Sequence, residues 1–202
     1  MTVERIDTTR LQRLARAYCE TAVLYAAIDL DLFTHVSQGA DSVEKLAGAM
    51  GVRLLQAERL VTSALAMGLL VSSAQGLRNA PDAERFLVKG KAGYAADWLM
   101  FTRDDVSAWF GLTKTLREQE APSVLGMYES LSVEQARKYH AATYSIGAGA
   151  GRRFARQVDM SARRRLLDLG GGSGAYSIEA VKAYPQLHAV VLDLPPVTEV
   201  TK

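Results

Sequence analysis

One cysteine, Cys19, is all the thiol chemistry the chain carries. A single thiol cannot build a disulfide framework, so burial must hold the fold and a reducing compartment is the natural setting. Cys19 lies in a mostly apolar helical stretch, where packing is expected rather than nucleophilic chemistry. No run of about 18 apolar residues occurs, which excludes a helical membrane span from the reading. The start, Met1-Thr-Val-Glu-Arg-Ile-Asp, lacks the basic-then-apolar layout of a signal peptide. Excess charge is also missing: 24 Lys and Arg against 22 Asp and Glu leave a formal +2. That is too little to argue for nucleic acid or an anionic membrane as partner. The six arginines between Arg152 and Arg165 are the one basic concentration. They read as a solvated helix face and strand lead-in, with a phosphate or acidic-substrate contact as the alternative. Repeats and low-complexity segments are absent. With 49% hydrophobic and 23% charged residues, a core is easily built, and the expectation is a soluble cytoplasmic protein.

From about Thr9 to Phe33 apolar residues recur at helical spacing, among them Leu11, Leu14, Tyr18, Tyr25, Ile28 and Leu32. Asp41-Ser-Val-Glu44 predicts a helix start, with a cap residue three positions before a glutamate. That helix continues over Leu46 to Met50 and Gly51 ends it. Leu54 to Met67 predicts the next helix, stopped by Gly68. Leu69-Leu-Val71 and Leu77-Arg-Asn79 flank Ser-Ser-Ala-Gln-Gly as a hairpin. Three helices and a hairpin follow the order of a winged helix, either a packing and dimerisation module or a DNA reader. Only Arg53 and Arg59 are basic in the helix that would enter a groove, with Glu58 beside them, and phosphate neutralisation needs more than that.

Tyr94 to Glu118 is aromatic-rich, with Trp98, Phe101, Trp109 and Phe110 at near-helical spacing. These four are either helix core or the wall of an aromatic substrate pocket. Ala121-Pro-Ser-Val breaks the pattern. Ser132, with Gln135 three residues on, caps a long helix running through Tyr139 towards Phe154. Gly147, Gly149 and Gly151 in that helix mark either close backbone approach or a kink.

The densest signal is Asp168-Leu-Gly-Gly-Gly-Ser-Gly174. Arg165 to Leu169 reads as a buried strand, and Ala175 to Ala183 as a helix. A glycine turn between them aims backbone N–H groups and a helix start at a ligand. A second apolar run, Ala189-Val-Val-Leu-Asp-Leu194, puts Asp193 19 residues after Gly174, about where a β-α-β unit holds a ribose. Gly170-x-Gly172-x-x-Ala175 also satisfies the dinucleotide fingerprint, so a nicotinamide or flavin binder stays in view. Asp168, however, suits a cationic ligand better than a pyrophosphate, and a large helical region precedes the unit.

Asp168 followed by Gly170, Gly172 and Gly174 resembles the first motif of the class I S-adenosylmethionine-dependent methyltransferases. Asp168-Leu-Gly-Gly-Gly-Ser-Gly-Ala with Leu192-Asp-Leu-Pro-Pro-Val197 is similar, more narrowly, to the O-methyltransferases of plant phenolic and bacterial polyketide or antibiotic pathways. Ala26-Ile-Asp-Leu-Asp-Leu-Phe33 and Leu46-Ala-Gly-Ala-Met-Gly-Val52 resemble that family's dimerisation region. The resemblance implies an α+β, mostly helical, winged-helix-like dimerisation domain over 1–90 and a helical linker with a pocket wall over 91–160. The first β-α-β part of a Rossmann-like α/β domain would then occupy 161–202. It implies S-adenosyl-L-methionine as cofactor, a homodimer, a small aromatic or phenolic acceptor, and methyl transfer from a sulfonium to a substrate oxygen.

By position it implies that Asp168 and the backbone of Gly170, Gly171, Gly172 and Gly174 hold the methionine end. Asp193 would take the ribose hydroxyls, with Leu194 beside the adenine. The helix from Tyr139 to Ser145 would lie over the methionine. Where the family often has Met and Ser, this chain has Thr143 and Gly147, a departure for which Ser145 could substitute. Trp98, Phe101, Trp109 and Phe110 would face the acceptor. Such a domain resembles a seven-stranded sheet, of which two strands are present here. His35, His140 and His188 are outside the context of the family's catalytic histidine; His188 reads as a surface residue, and His140 could approach the cofactor helix. No catalytic base and no metal ligand set is assigned. The expectation is therefore part of a longer polypeptide, or a chain needing another copy to cover the sheet edge, inactive alone. Two other readings stay open: a non-catalytic winged-helix regulator with a vestigial nucleotide fold, and a dehydrogenase-like dinucleotide binder.

Overall fold

The structure, a computed structural model, describes residues 6–117 and 126–201. The chain forms two compact units that divide between Tyr94 and Ala95. The second unit takes in residues on both sides of position 160.

In the first unit, α1 (Thr9–Asp29) stops where Asp31 takes φ 54°, and α2 (Leu32–Ser37) restarts the chain in a new direction. The single helix expected to Phe33 is two for that reason. A short polar side chain is what makes the left-handed conformation tolerable outside glycine. Helix α3 (Val43–Met50) is capped by Ser42, whose Oγ accepts from Lys45 N at 3.3 Å. The cap is therefore one residue later than Asp41-to-Glu44 spacing implied, and Glu44 is not the reciprocal partner. Asp41 instead pairs with Lys45 Nζ at 2.8 Å. Gly51 ends α3 at φ 67°, and α4 (Leu54–Ala66) follows. Strands β1 (Leu70–Ser73) and β2 (Gly76–Asn79) pair antiparallel, with Ser73 opposite Gly76. Gly76 sits at φ 101°, and a Cβ there would lie 2.7 Å from the Asp41 carbonyl oxygen. Short α5 (Pro81–Phe86) follows. Leu32, Phe33, Leu46 and Val61 fill the core. Leu11, Leu14 and Tyr18 on α1 stay more than half exposed.

The second unit opens with α6 (Ala96–Phe101), a 3₁₀ turn (Thr102–Asp105), α7 (Val106–Phe110) and α8 (Leu112–Arg117). The aromatic stretch is thus broken, and its residues separate. Trp98 stacks on Phe101 at 6.0 Å between centroids. Trp109 and Phe110 are 71% and 69% exposed, which corrects the helix-core reading for that pair. The expected break at Ala121-Pro-Ser-Val lies outside the described residues. A second 3₁₀ turn (Gly126–Ser130) precedes α9 (Val133–Gln157).

Helix α9 has the full reciprocal cap: Gln135 N donates to Ser132 Oγ at 3.2 Å, and Ser132 N to Gln135 Oε1 at 2.8 Å. It runs unbroken through its glycines, and close approach explains Gly147 and Gly151 but not Gly149. A Cβ on Gly151 would be 3.0 Å from Ala175 O and 3.1 Å from Tyr176 Cα, on the helix that packs there, α10 (Ala175–Ala183). Strands β3 (Arg165–Leu169) and β4 (His188–Leu192) pair in parallel through α10, with Asp168 opposite Val191. The second strand starts at His188 rather than Ala189 and ends at Leu192, which leaves Asp193 just beyond its C-terminal end. Helix α11 (Pro195–Thr201) completes the described fold. Met160, Ala180 and Leu187 form a small core with Phe154, Leu166 and Tyr184. The opposite sheet face carries Leu167, Leu169, Val190 and Leu192, all at least half exposed. Among the described residues no helix is long and apolar enough to cross a membrane.

Candidate functional site

Strand β3 delivers its last residues into a loop that only glycine can follow. Gly170, Gly172 and Gly174 have φ of 67°, 56° and 70°, and Gly174 is the N-cap of α10. In this left-handed region a side chain is strained. Gly171 is excluded from carrying one by space instead, since its Cβ would lie 2.7 Å from Asp168 Cγ and 2.8 Å from Val191 Cγ1.

The loop is held from several directions. Asp193 Oδ2 accepts from Gly172 N at 2.7 Å, and its Oδ1 accepts from Leu194 N at 2.7 Å. Thr201 Oγ1, on α11, donates to Gly172 O at 2.6 Å. Asp168 Oδ2 accepts from Ser177 Oγ at 2.7 Å, which ties the strand end to the first turn of α10. Two carboxylates therefore stand at the two parallel strand ends. Asp193 uses part of its acceptor capacity on the loop and Asp168 part on α10, and each keeps lone pairs for a ligand, since a carboxylate offers about four.

A cavity of about 680 Å³ opens on this loop, within the range usual for small-molecule sites. Asp168, Gly170, Gly171, Gly172, Asp193 and Tyr139 line it. Gly174 does not; it is buried beneath the loop as the helix cap. Leu194 and Ser145 are also absent from the lining. Thr143 and Gly147, the two positions that depart from the family pattern, do line it. Thr143 Oγ1 donates to its own helix, to Tyr139 O at 3.0 Å. None of Trp98, Phe101, Trp109 and Phe110 is among the lining residues. Phe101 stands behind the wall, edge-on to Tyr139 at 5.3 Å.

Sequence reasoning missed Tyr128, Ser177, Thr201 and the burial of His140. The α9 residues could have been found, because Ala136, His140, Thr143 and Gly147 recur at spacings of four, three and four and share one helix face. His140 is 9% exposed, and burial pulls its pKa below the ordinary 6.5 while the Asp193 charge opposes that shift. Burial raises the Tyr139 phenol above its ordinary value, helped by the neighbouring Tyr128. His188 is exposed, as read.

Residues 97–202 match the O-methyltransferase domain. The chain belongs to the O-methyltransferase family. Residues 12–89 match the O-methyltransferase dimerisation domain. The two matches fall either side of the boundary between the compact units. Among relatives, the N,N-dimethyltransferase OxyT of Streptomyces rimosus is 29% identical over 92% of this chain and 56% of its own. The 3-hydroxy-5-methyl-1-naphthoate 3-O-methyltransferase of Streptomyces sahachiroi is 30% identical over 93% of this chain and 55% of its own. The chain thus spans little more than half the length of these relatives. Human N-acetylserotonin methyltransferase in complex with SAM has the same fold over the whole chain and 64% of its own, with a TM-score of 0.79 at 22% identity.

Proposed function

We propose that this O-methyltransferase-family chain binds S-adenosylmethionine and takes part in O-methylation of a small aromatic acceptor of polyketide type. The observation that carries the reading is the pair Asp168 and Asp193, facing one cavity across a glycine loop without Cβ atoms. The cofactor is a cation at its ammonium and sulfonium, and two carboxylates are the complement such a ligand needs. The cavity volume also suits it, and the closed-off Cβ space at Gly171 and Gly172 lets a ligand reach the backbone.

When bound, the cofactor supplies an activated methyl group. The chain's own residues position it. Asp168, fixed by Ser177, takes the methionine ammonium; Asp193, fixed by two backbone N–H groups, takes ribose hydroxyls. Tyr139, Thr143 and Gly147 of α9 form the roof. Leu194, just past Asp193, lies beside the adenine, and Trp98 and Phe101 back the acceptor side through Tyr139. The first unit, winged-helix-like in its order of helices and hairpin, pairs with a second copy through the exposed Leu11, Leu14 and Tyr18 of α1. The acceptor class follows the relatives' names, which include a naphthoate and a tetracenomycin methyltransferase.

Isothermal titration of the purified protein with S-adenosylhomocysteine and, separately, NAD tests the reading. Saturable binding of the homocysteine with no response to NAD is expected. The reverse pattern would replace it with a dinucleotide binder.

A further inference from the structure

His140 is nine-tenths buried, yet neither ring nitrogen has a hydrogen-bond partner among the described residues. The ring lines the cavity, and neither nitrogen is among the fully buried polar atoms left without a partner, so its donor and acceptor open on the cavity. It leans on Gly172: a Cβ at that glycine would lie 2.9 Å from His140 Cε1 and 3.3 Å from Nδ1. The glycine therefore has two reasons to be one, its φ of 56° and the room it leaves for the imidazole.

The same Gly172 peptide donates its N–H to Asp193 Oδ2. Imidazole and carboxylate thus flank one peptide and face one part of the cavity, and Asp193 is the charge that acts on His140. That pairing selects its ligand. A carboxylate placed between them would be repelled by Asp193. A hydroxyl fits both, because it can donate to the carboxylate and accept from an imidazole N–H in the same position. The neutral ring, favoured by burial, offers one donor and one acceptor, which is what a neutral hydroxyl requires.

We propose that His140 is a further recognition residue of this site, donating an imidazole N–H to the oxygen of a ribose hydroxyl whose own O–H donates a hydrogen bond to Asp193. This rests on the adenosyl-cofactor reading given above. The assignment makes α9 a reader of the sugar as well as a roof over the methionine.

The test is titration of the protein, as its gene encodes it, with S-adenosylhomocysteine and its 2′-deoxy and 3′-deoxy analogues. His140→Phe keeps a ring of similar size without the N–H; His140→Gln restores a donor. His140→Phe should weaken S-adenosylhomocysteine binding about tenfold, the span of one hydrogen bond. It should leave binding of one deoxy analogue unchanged from wild type, and His140→Gln should recover part of the loss. Equal losses with all three ligands would make His140 a packing residue and overturn the proposal, as would unchanged affinity in His140→Phe. Wild-type protein that binds no S-adenosylhomocysteine would overturn the cofactor reading and this one with it, a separate outcome from the first two. Should His140→Phe fail to fold, the imidazole ¹⁵N resonances of the wild type decide. They must shift on addition of S-adenosylhomocysteine and shift less with one deoxy analogue; identical responses to all three ligands refute the assignment.

Discussion

Replacing Gly151 by alanine should destabilise the second unit, while the same replacement at Gly149 should stabilise it. Both glycines lie inside α9, where alanine is favoured over glycine by about 1 kcal/mol. At Gly149 the nearest atom to an added Cβ is the mobile Arg152 Nη2 at 3.9 Å, so the helix gain is kept. At Gly151 the added methyl would meet Ala175 O at 3.0 Å, Tyr176 Cα at 3.1 Å and Glu179 Cβ at 3.3 Å. Two of these are backbone atoms of the first turn of α10. They move only if the whole helix moves, and α10 is tied down by the glycine loop and by Ser177 on Asp168. Overpacking of this kind costs about 1–3 kcal/mol, which exceeds the propensity gain. The two variants should differ by roughly 2 kcal/mol, or about 6 °C in Tm for a chain of this length. Thermal melts followed by circular dichroism at equal protein concentration measure this. Gly151→Ala melting at or above Gly149→Ala would refute the argument that the glycine exists to let α10 approach.

Asp193→Ala removes the acceptor that fixes Gly172 and Leu194 and a ligand carboxylate together. S-adenosylhomocysteine affinity should fall about 30-fold or more by calorimetry, as expected for charge-assisted hydrogen bonds. Leu11→Glu with Leu14→Glu places charge on the exposed apolar stripe of α1 and should shift the protein to a smaller species in sedimentation velocity. Ser132→Ala breaks the reciprocal cap of α9 and should cost about 1 kcal/mol in denaturant unfolding. Burial holds the folded pKa of His140 below the unfolded 6.5, so the unfolded chain takes up the proton first. The stability from keeping this ring neutral is complete above about pH 6.5 and is lost as pH falls towards the lowered folded value. His140→Phe should flatten the Tm–pH curve over that window, and an unchanged curve would contradict a lowered folded pKa for this ring.

Local rules settled the backbone of the site from sequence alone. The strand Arg165–Leu169 and the helix Ala175–Ala183 fall where composition placed them, and the cap at Ser132 with Gln135 is where its spacing put it. Such features depend on residues within a turn or two of one another, and glycine, serine and a run of aliphatics carry that information in their own chemistry. Asp31 is where local reading failed first, because a left-handed aspartate looks no different in sequence from a helical one. Tertiary structure decided which atoms meet. Only packing shows that Gly151 faces the backbone of α10 while Gly149 meets only the tip of Arg152, although both sit in the same alternating run. Only the crossing of α9 over the loop buries His140 against Gly172, and only the end of β4 turns Asp193 back onto a glycine 21 residues earlier. These contacts join residues far apart in the chain, and their distances follow from how helices and strands pack, which no local pattern of residue types encodes.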